Sequence, residues 1–354
     1  MKKIAYIELD THAEIVQDFI NVMSGSTQFS VNYFLSEKIK KQIVTKDEVV
    51  YSSDSSRILD QLAMHSYDLV IIGTVHRYFN TFLAITMQYK SAVIVHNLNF
   101  SKISKGKLIQ NIIKKDVVYR LKLWWKEGLI NAPKVYENAH QLLVLDEEMN
   151  STKYQFLPLF FTKKFQKHNS EVVKIVIPGG VSQARRDYKH IISTLQKFEA
   201  NCKKSNGGKL LEFIFLGKAQ GEELKEIIHL ERSLEYINIT YFKERISASI
   251  FDKYMQNADV LWCPIQRETE FFSQKEIYGK TKMTGNLGDA IKFGKMAVFP
   301  SQYSTKQPFI IKEKENLLEL FLSLKNKEFN FQNDFGKQKI QKDIEGVISK
   351  MISI

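Results

Sequence analysis

The stretch KTKMTGNLGDAIKFGKMAVFP, residues 280–300, decides how the rest of the chain is read. It reads as a loop, a helix start and a short buried strand. Thr284 and Gly285 stand where a helix begins. Asp289, Ala290, Ile291 and Phe293 carry polar and apolar faces at helical spacing, and Gly294 is a stop. Residues 296–299 then read as a strand closed by Pro300. Backbone N–H groups at a helix start lack an intrahelical acceptor, and the helix dipole adds partial positive charge, so the place suits a phosphate. Asp289, one turn on, can accept from ribose hydroxyls. The same residues would also make an ordinary capped surface helix with Asp289 in water.

Working outward, the second half of the chain keeps an α/β rhythm. Residues 172–177 (VVKIVI), 210–216 (LLEFIFL), 237–242 and 259–264 (DVLWCP) read as strands, with helices over 187–198, 222–230 and 249–256. Residues 267–279 form a polar and aromatic loop leading into the opening stretch. Amphipathic helices over 317–324 and 337–351 end the chain. Gly179 and Gly180 turn the chain after the first of these strands, where glycine lets backbone approach a ligand, and Arg185 and Arg186 follow to pair with phosphate. The turn is neither GxGxxG nor a Walker loop, which needs Gly-Lys-Ser/Thr. Lys218 after the next strand, and Lys243 or Arg245 after the third, add positive charge on the same inferred edge. With the helix start at Thr284 they could hold a diphosphate without a metal; no DxD triplet or dense carboxylate cluster is present.

The first half alternates in the same way. Residues 3–9 and 29–35, then 68–72 (DLVII), 92–95 (AVIV) and 141–145 (QLLVL), are strands between helical segments at 11–23, with Thr11 as a possible cap, and 55–65. Such alternation argues for mostly parallel sheets covered on both faces, whose functional loops follow the carboxyl ends of the strands. Those loops carry Asp10, Thr11, His12 and Glu14; then Thr74, His76 and Arg77; then His96, Asn97 and Asn99. Three strand ends thus deliver a histidine to one rim. A histidine backed by a carboxylate can take a proton from a hydroxyl near neutral pH, and His12 with Asp10 or Glu14 is the best such pair.

Residues 101–128 break the alternation. Ile109, Ile112, Ile113, Val117, Leu121, Trp124 and Trp125 recur at helical spacing among seven lysines and Arg120. A long helix over 102–126 would either lie on an anionic membrane or cover the sheet with its lysines in water. The aromatics cluster at one end and do not interleave with the basic residues, which argues against nucleic acid.

The whole chain has 354 residues, 44% hydrophobic and 25% charged, and a net charge of +12, enough for two domains and suited to an anionic partner. Its two cysteines, Cys202 and Cys263, form no CxxC pair. The start of the chain reads as a strand, not a signal peptide, and no run is long and apolar enough to span a bilayer, so a cytoplasmic protein is expected.

In order, these features resemble the two-domain GT-B glycosyltransferases, especially the retaining, family four-like enzymes of bacterial surface-polysaccharide synthesis. IVIPGGVSQARRDY, FIFLGKA, ADVLWCPI and YGKTKMTGNLGDAIKFGKMAVFP carry the likeness, which covers most of 172–325; residues 1–160 match in rhythm alone. The resemblance implies two Rossmann-like domains with parallel sheets facing across a cleft. Domain 1–160 would bind a glycan or lipid-linked acceptor through His76, Arg77, His96 and Asn97. Domain 161–325 would bind the nucleotide-sugar donor, and 326–354 would form a helix that could pack back on the N-terminal domain. Residues 162–170 read as the linker. The implied donor residues are Gly179, Gly180, Arg185, Arg186, Lys218, Lys243, Tyr278, Lys282, Thr284, Gly285, Asn286 and Asp289, with no cofactor or metal. Where the family has one glutamate before this helix and another within it, this chain has Lys282 and Asp289, with Glu276 further upstream. Its first loop reads Asp10-Thr11-His12-Ala13-Glu14 in place of a glycine-rich one. A sugar-nucleotide epimerase and a non-catalytic, membrane-associated partner subunit are the alternatives.

Overall fold

The computed structural model describes residues 1–45, 49–164, 171–204 and 211–353; most of the inferred linker, residue 210 and residue 354 lie outside them. The chain divides into two compact units, 1–161 with 270–283 and 335–354, and 162–269 with 284–334.

In the first unit β1 (Lys2–Glu8), β2 (Phe29–Leu35), β3 (Val50–Ser52), β4 (Leu69–Ile72), β5 (Ser91–Ile94), β6 (Gln141–Val144) and β7 (Tyr154–Phe156) form one sheet in the order β3-β2-β1-β4-β5-β6-β7. Every pairing in it is parallel. Ile4, Ala5, Tyr6 and Ile7 of β1 and all of β4 are buried, as expected of strands covered on both faces. The cover comes from α1 (Ala13–Met23), α2 (Glu37–Lys40), α3 (Ile58–Ala63), α4 (Phe79–Gln88), α5 (Lys105–Ile112), α6 (Val117–Glu127) and α7 (Ala132–Asn138).

The second unit repeats the winding. β8 (Val173–Pro178), β9 (Leu211–Lys218), β10 (Ile237–Phe242) and β11 (Val260–Trp262) alternate with α8 (Tyr188–Lys204), α9 (Gly221–Ser233) and α10 (Ala248–Asn257). A hairpin of β12 (Glu268–Phe271) and β13 (Gln274–Ile277) intervenes before α11 (Gly285–Phe293), β14 (Ala297–Phe299) and β15 (Ile310–Lys312). The parallel sheet has the order β10-β9-β8-β11-β14-β15. Trp262 of β11, fully buried, donates Nε1–H to Glu313 at 2.7 Å and packs with Phe213 and Phe321. Burying an apolar side chain of this kind contributes about 2 kcal/mol.

Three expectations about organisation change. Residues 267–279 are no open loop but largely the hairpin, and 270–283 belong to the first unit. The hairpin turn is Phe272-Ser273, both left-handed at φ 49° and 54°, the twist that two-residue hairpins require. The Glu276 carboxylate accepts from the backbone N–H of Asn99 (3.2 Å) and Phe100 (2.9 Å), and Leu98 N–H donates to Thr281 O at 2.8 Å. These buried bonds hold the segment to the loop after β5.

Residues 326–354 also divide. Residues 326–334 belong to the second unit, in which α12 (Leu317–Leu324) and most of α13 (Phe331–Phe335) lie, whereas α14 (Lys337–Ser353) packs on α1 in the first. Gln28 donates to Glu345 at 3.3 Å, and Lys90 Nζ to Ile352 O at 2.8 Å. Finally, residues 101–128 make two helices, not one. Asp116 turns the chain at φ 52° between α5 and α6.

Candidate functional site

Both sheets reverse their strand order beside their first strand, between β1 and β4 and between β8 and β11, and in such sheets ligands bind at the carboxyl ends there. The first edge is built from titratable side chains. β1 ends at Glu8, and the chain enters α1 through His12, a left-handed residue (φ 64°, ψ 42°) whose carbonyl accepts from Ile15 and Val16. His12, not Thr11, is therefore the helix cap. Its Nδ1 lies 2.9 Å from Glu14 Oε1, which leaves Nε2 for another partner. Its ring stacks on His96 with centroids 4.1 Å apart, and His76 meets both rings edge-on at 6.0 and 5.9 Å. The loops after β1, β4 and β5 do bring the three histidines together.

Their protonation follows from their partners. His96 Nε2 is 2.9 Å from Gly73 O, which can only accept, so Nε2 carries the proton. Lys282 Nζ donates to Asn97 Oδ1 at 2.6 Å; this turns the amide so that Nδ2 faces His76 Nε2 at 3.3 Å, and the His76 proton sits on Nδ1. Burial, then the charge of His12, holds both His76 and His96 well below the usual imidazole range. They are neutral at physiological pH.

Beneath them lies Glu8, which the sequence reading did not single out. Its carboxylate accepts from the N–H of Asp10 (3.1 Å) and Thr11 (3.2 Å) and from the Thr74 hydroxyl. Burial outweighs these bonds and pushes its pKa up to about 7. A Cβ on Gly73 would lie 2.7 Å from Glu8 Oε2, so the glycine lets the carboxylate fit. The only local signal was an acid directly after the buried run Ile4, Ala5, Tyr6 and Ile7. Asp10 faces Lys38, whose Nζ bonds its carbonyl at 2.8 Å and lies 3.8 Å from its carboxylate. Arg77 is committed differently from expectation: its guanidinium pairs with Glu127 at the end of α6.

The second edge is built from backbone. Gly179 (φ 101°) adopts a conformation that side chains disfavour, and a Cβ there would meet Arg186 Nη2 at 2.4 Å. A Cβ on Gly217, at the end of β9, would lie 2.4 Å from Gly179 O, so the two strand ends touch backbone to backbone. A Cβ on Gly180 or on Gly285 would meet nothing within 4 Å, which leaves both glycines open to an incoming group. Thr284 caps α11, accepting from Asn286 N at 3.4 Å, and Gly294 ends it in the left-handed conformation.

Arg186 is the correction here. It is buried, donating to the carbonyls of Pro178 and Gly180 and to Asn286 Oδ1 (3.1 Å), so it fastens the glycine turn to the start of α11 and does not face a phosphate. Asn286 completes the knot through Nδ2, bonding Pro178 O and Asp289 Oδ2, both at 3.2 Å. Arg185 and Lys218 are exposed. Lys243 follows β10, two strands from β8 and so about 10 Å away in the sheet. Tyr278 and Lys282 belong to the first unit, where they pair in an isolated bridge and Lys282 bonds Asn97. Among the described residues no group of three or more His, Cys, Asp or Glu could hold a metal ion.

No family model matches the chain, and comparison with curated proteins gives no match. Solved structures do match over its whole length. The E. coli trehalose-6-phosphate protein bound with UDP-2-fluoro glucose has a TM-score of 0.56 at 9% identity, covering 100% of this chain and 99% of that one. The UDP-GlcNAc 2-epimerase from Methanocaldococcus jannaschii gives 0.54 at 11%, covering 98% and 99%. That from Neisseria meningitidis bound to UDP-GlcNAc gives 0.52 at 11%, covering 98% and 100%. Two parallel sheets of the same switched strand order and this full-length likeness establish that the chain has the GT-B fold.

Proposed function

We propose that this protein is a glycosyltransferase that moves a sugar from a nucleoside-diphosphate sugar to a hydroxyl of a glycan or lipid-linked acceptor in cell-surface polysaccharide synthesis, without a catalytic metal. The observation that carries the reading is the glycine turn after β8, which Arg186 and Asn286 tie to the start of α11. The turn is fixed by these bonds and by the Gly179 and Val181 N–H groups, which donate to Leu216 O and Lys218 O, and open Gly180 and Gly285 leave room for a diphosphate beside the positive end of the α11 dipole. Neighbours of the same fold hold UDP-2-fluoro glucose and UDP-GlcNAc, which makes uridine diphosphates the first ligands to try.

In this reading the acceptor hydroxyl gives its proton to His12 Nε2 while its oxygen forms the new bond to the anomeric carbon. Glu14 holds the opposite ring nitrogen and stabilises the imidazolium that results. The old bond to the diphosphate breaks with its electron pair passing to the departing oxygen. The α11 N–H groups, with Arg185 and Lys218, meet that charge, and Asp289 accepts from the ribose.

An epimerase acting on the sugar nucleotide is the second reading. It draws on the epimerase neighbours and on a rim where two neutral histidines stand near a carboxyl group that titrates near pH 7. A thermal-shift screen of nucleoside diphosphates and their sugar conjugates, followed by chromatography of the stabilising conjugate with and without acceptor, separates the two. Transfer only with acceptor supports the first reading; an isomerised sugar nucleotide without acceptor replaces it with the second. Failure of every diphosphate to stabilise the protein overturns both.

A further inference from the structure

The α5–α6 pair carries a surface that the sugar-nucleotide reading leaves unused. Each helix buries one face: Leu108, Asn111 and Ile112 on α5, Arg120 and Leu123 on α6. Arg120 is drawn inward by Asn111 O and by Ser273 Oγ at 2.8 Å, and lies over the Phe272 ring. An α-helix turns 100° per residue, so Val118, Leu121 and Trp125 fall on the side of α6 opposite that buried face. They are 84%, 44% and 91% exposed. Ile109 and Ile113 stand in the equivalent place on α5 and are 44% and 73% exposed. This apolar row does not serve the core, since the core contacts are made on the other side of both helices.

The charge around the row has one sign. Lys102, Lys105, Lys107, Lys114, Lys115, Lys122 and Lys126 are all exposed, and Asp116 is the only exposed acid over 102–126. A protein partner would have to bury that charge against matching acids. A bilayer of anionic lipid takes apolar side chains and a tryptophan at the level of its headgroups and attracts each lysine separately. We propose that the outer face of α5 and α6 docks on an anionic membrane surface. The surface borders the histidine rim, because α6 ends at Glu127, the partner of Arg77 in the loop after β4. Where the proposed transfer holds, a lipid-linked acceptor would therefore come to His12 from that membrane.

The test uses the full chain with vesicles of phosphatidylcholine, alone or mixed with phosphatidylglycerol, in a co-sedimentation assay, together with tryptophan emission. The expected result is binding to the mixed vesicles, a blue shift of the emission, and loss of both at high salt. Trp125→Ser with Val118→Ser, and separately Lys122→Glu with Lys126→Glu, should each lower vesicle affinity by about tenfold or more. These side chains point away from the core, so melting temperature should not move. Equal binding to both vesicle types, no binding to either, or undiminished binding by the Trp125 variant overturns the proposal. So does sedimentation showing that the row joins two copies of the chain. Calorimetry with uridine diphosphate on the same samples reads the sugar-nucleotide proposal separately, because it needs no vesicle.

Discussion

His12, His76 and His96 stand at the ends of β1, β4 and β5; Gly179, Gly180 and Gly217 stand at the ends of β8 and β9. The two sheets share a winding, and each opens its carboxyl edge at a switch in strand order. One edge is furnished with groups that bind and release protons, the other with close-packed glycine backbone and one buried arginine. The topology supplies an address, and the side chains delivered there supply the chemistry. A proton acceptor needs a pKa near neutrality, which burial and neighbouring charges can tune. An anion holder needs N–H groups that do not move, which glycines admit and a buried guanidinium can fix.

The sharpest way to break this contrast is His12→Ala. Transfer should fall by about 10²- to 10⁴-fold, with uridine diphosphate affinity by calorimetry unchanged. Equal loss of both would make the histidine edge a binding edge. Arg186→Ala should act in the opposite sense. It leaves Asn286 Oδ1 buried without its charged donor, costing about 3 kcal/mol of stability in urea unfolding, and it weakens diphosphate binding as well.

Glu8 sharpens the comparison through pH. Its folded pKa of about 7 lies above the unfolded 4.5, so the folded state binds the extra proton between those values. Stability from this group is present below pH 4.5 and is lost as pH rises to about 7, by about 3 kcal/mol in all. The buried histidines titrate the other way, gaining stability as pH rises toward 6.5, so the measurement is the difference between the protein and Glu8→Gln. The variant should gain on the parent across that window; a constant difference would mean Glu8 is ionised throughout. The smallest expected effect separates two glycines. Gly217→Ala should cost about 2 kcal/mol, because its Cβ meets Gly179 backbone, whereas Gly180→Ala should leave the melting temperature in place and lower diphosphate affinity alone.

Much of the fold could be read from the residues in order. Thr284 and Gly294 bound α11 as their chemistry suggests, and short β-branched runs mark the buried strands. That histidines from three loops share a rim follows from parallel topology. What escaped that reading depends on distant neighbours. Arg185 and Arg186 are adjacent and chemically alike, yet one is exposed and the other is drawn inward by carbonyls and by an asparagine 100 residues away. Lys282 looks like part of the helix start beside it, yet it hydrogen-bonds Asn97, because Glu276 anchors its hairpin to the loop after β5. The break at Asp116 has no glycine or proline to announce it. Glu8 differs from an ordinary strand-end acid only through what buries it.

By itself the sequence determined the alternation of strands and helices, the capped helix start at Thr284 and the unopposed lysines of 102–126. These depend on local backbone preference, on hydrophobic period and on composition. Only the tertiary structure decided which arginine is a rivet, which unit owns the hairpin, how high the Glu8 carboxyl titrates and which way the apolar row of α5 and α6 points. Each of those is settled by burial and by partners far along the chain.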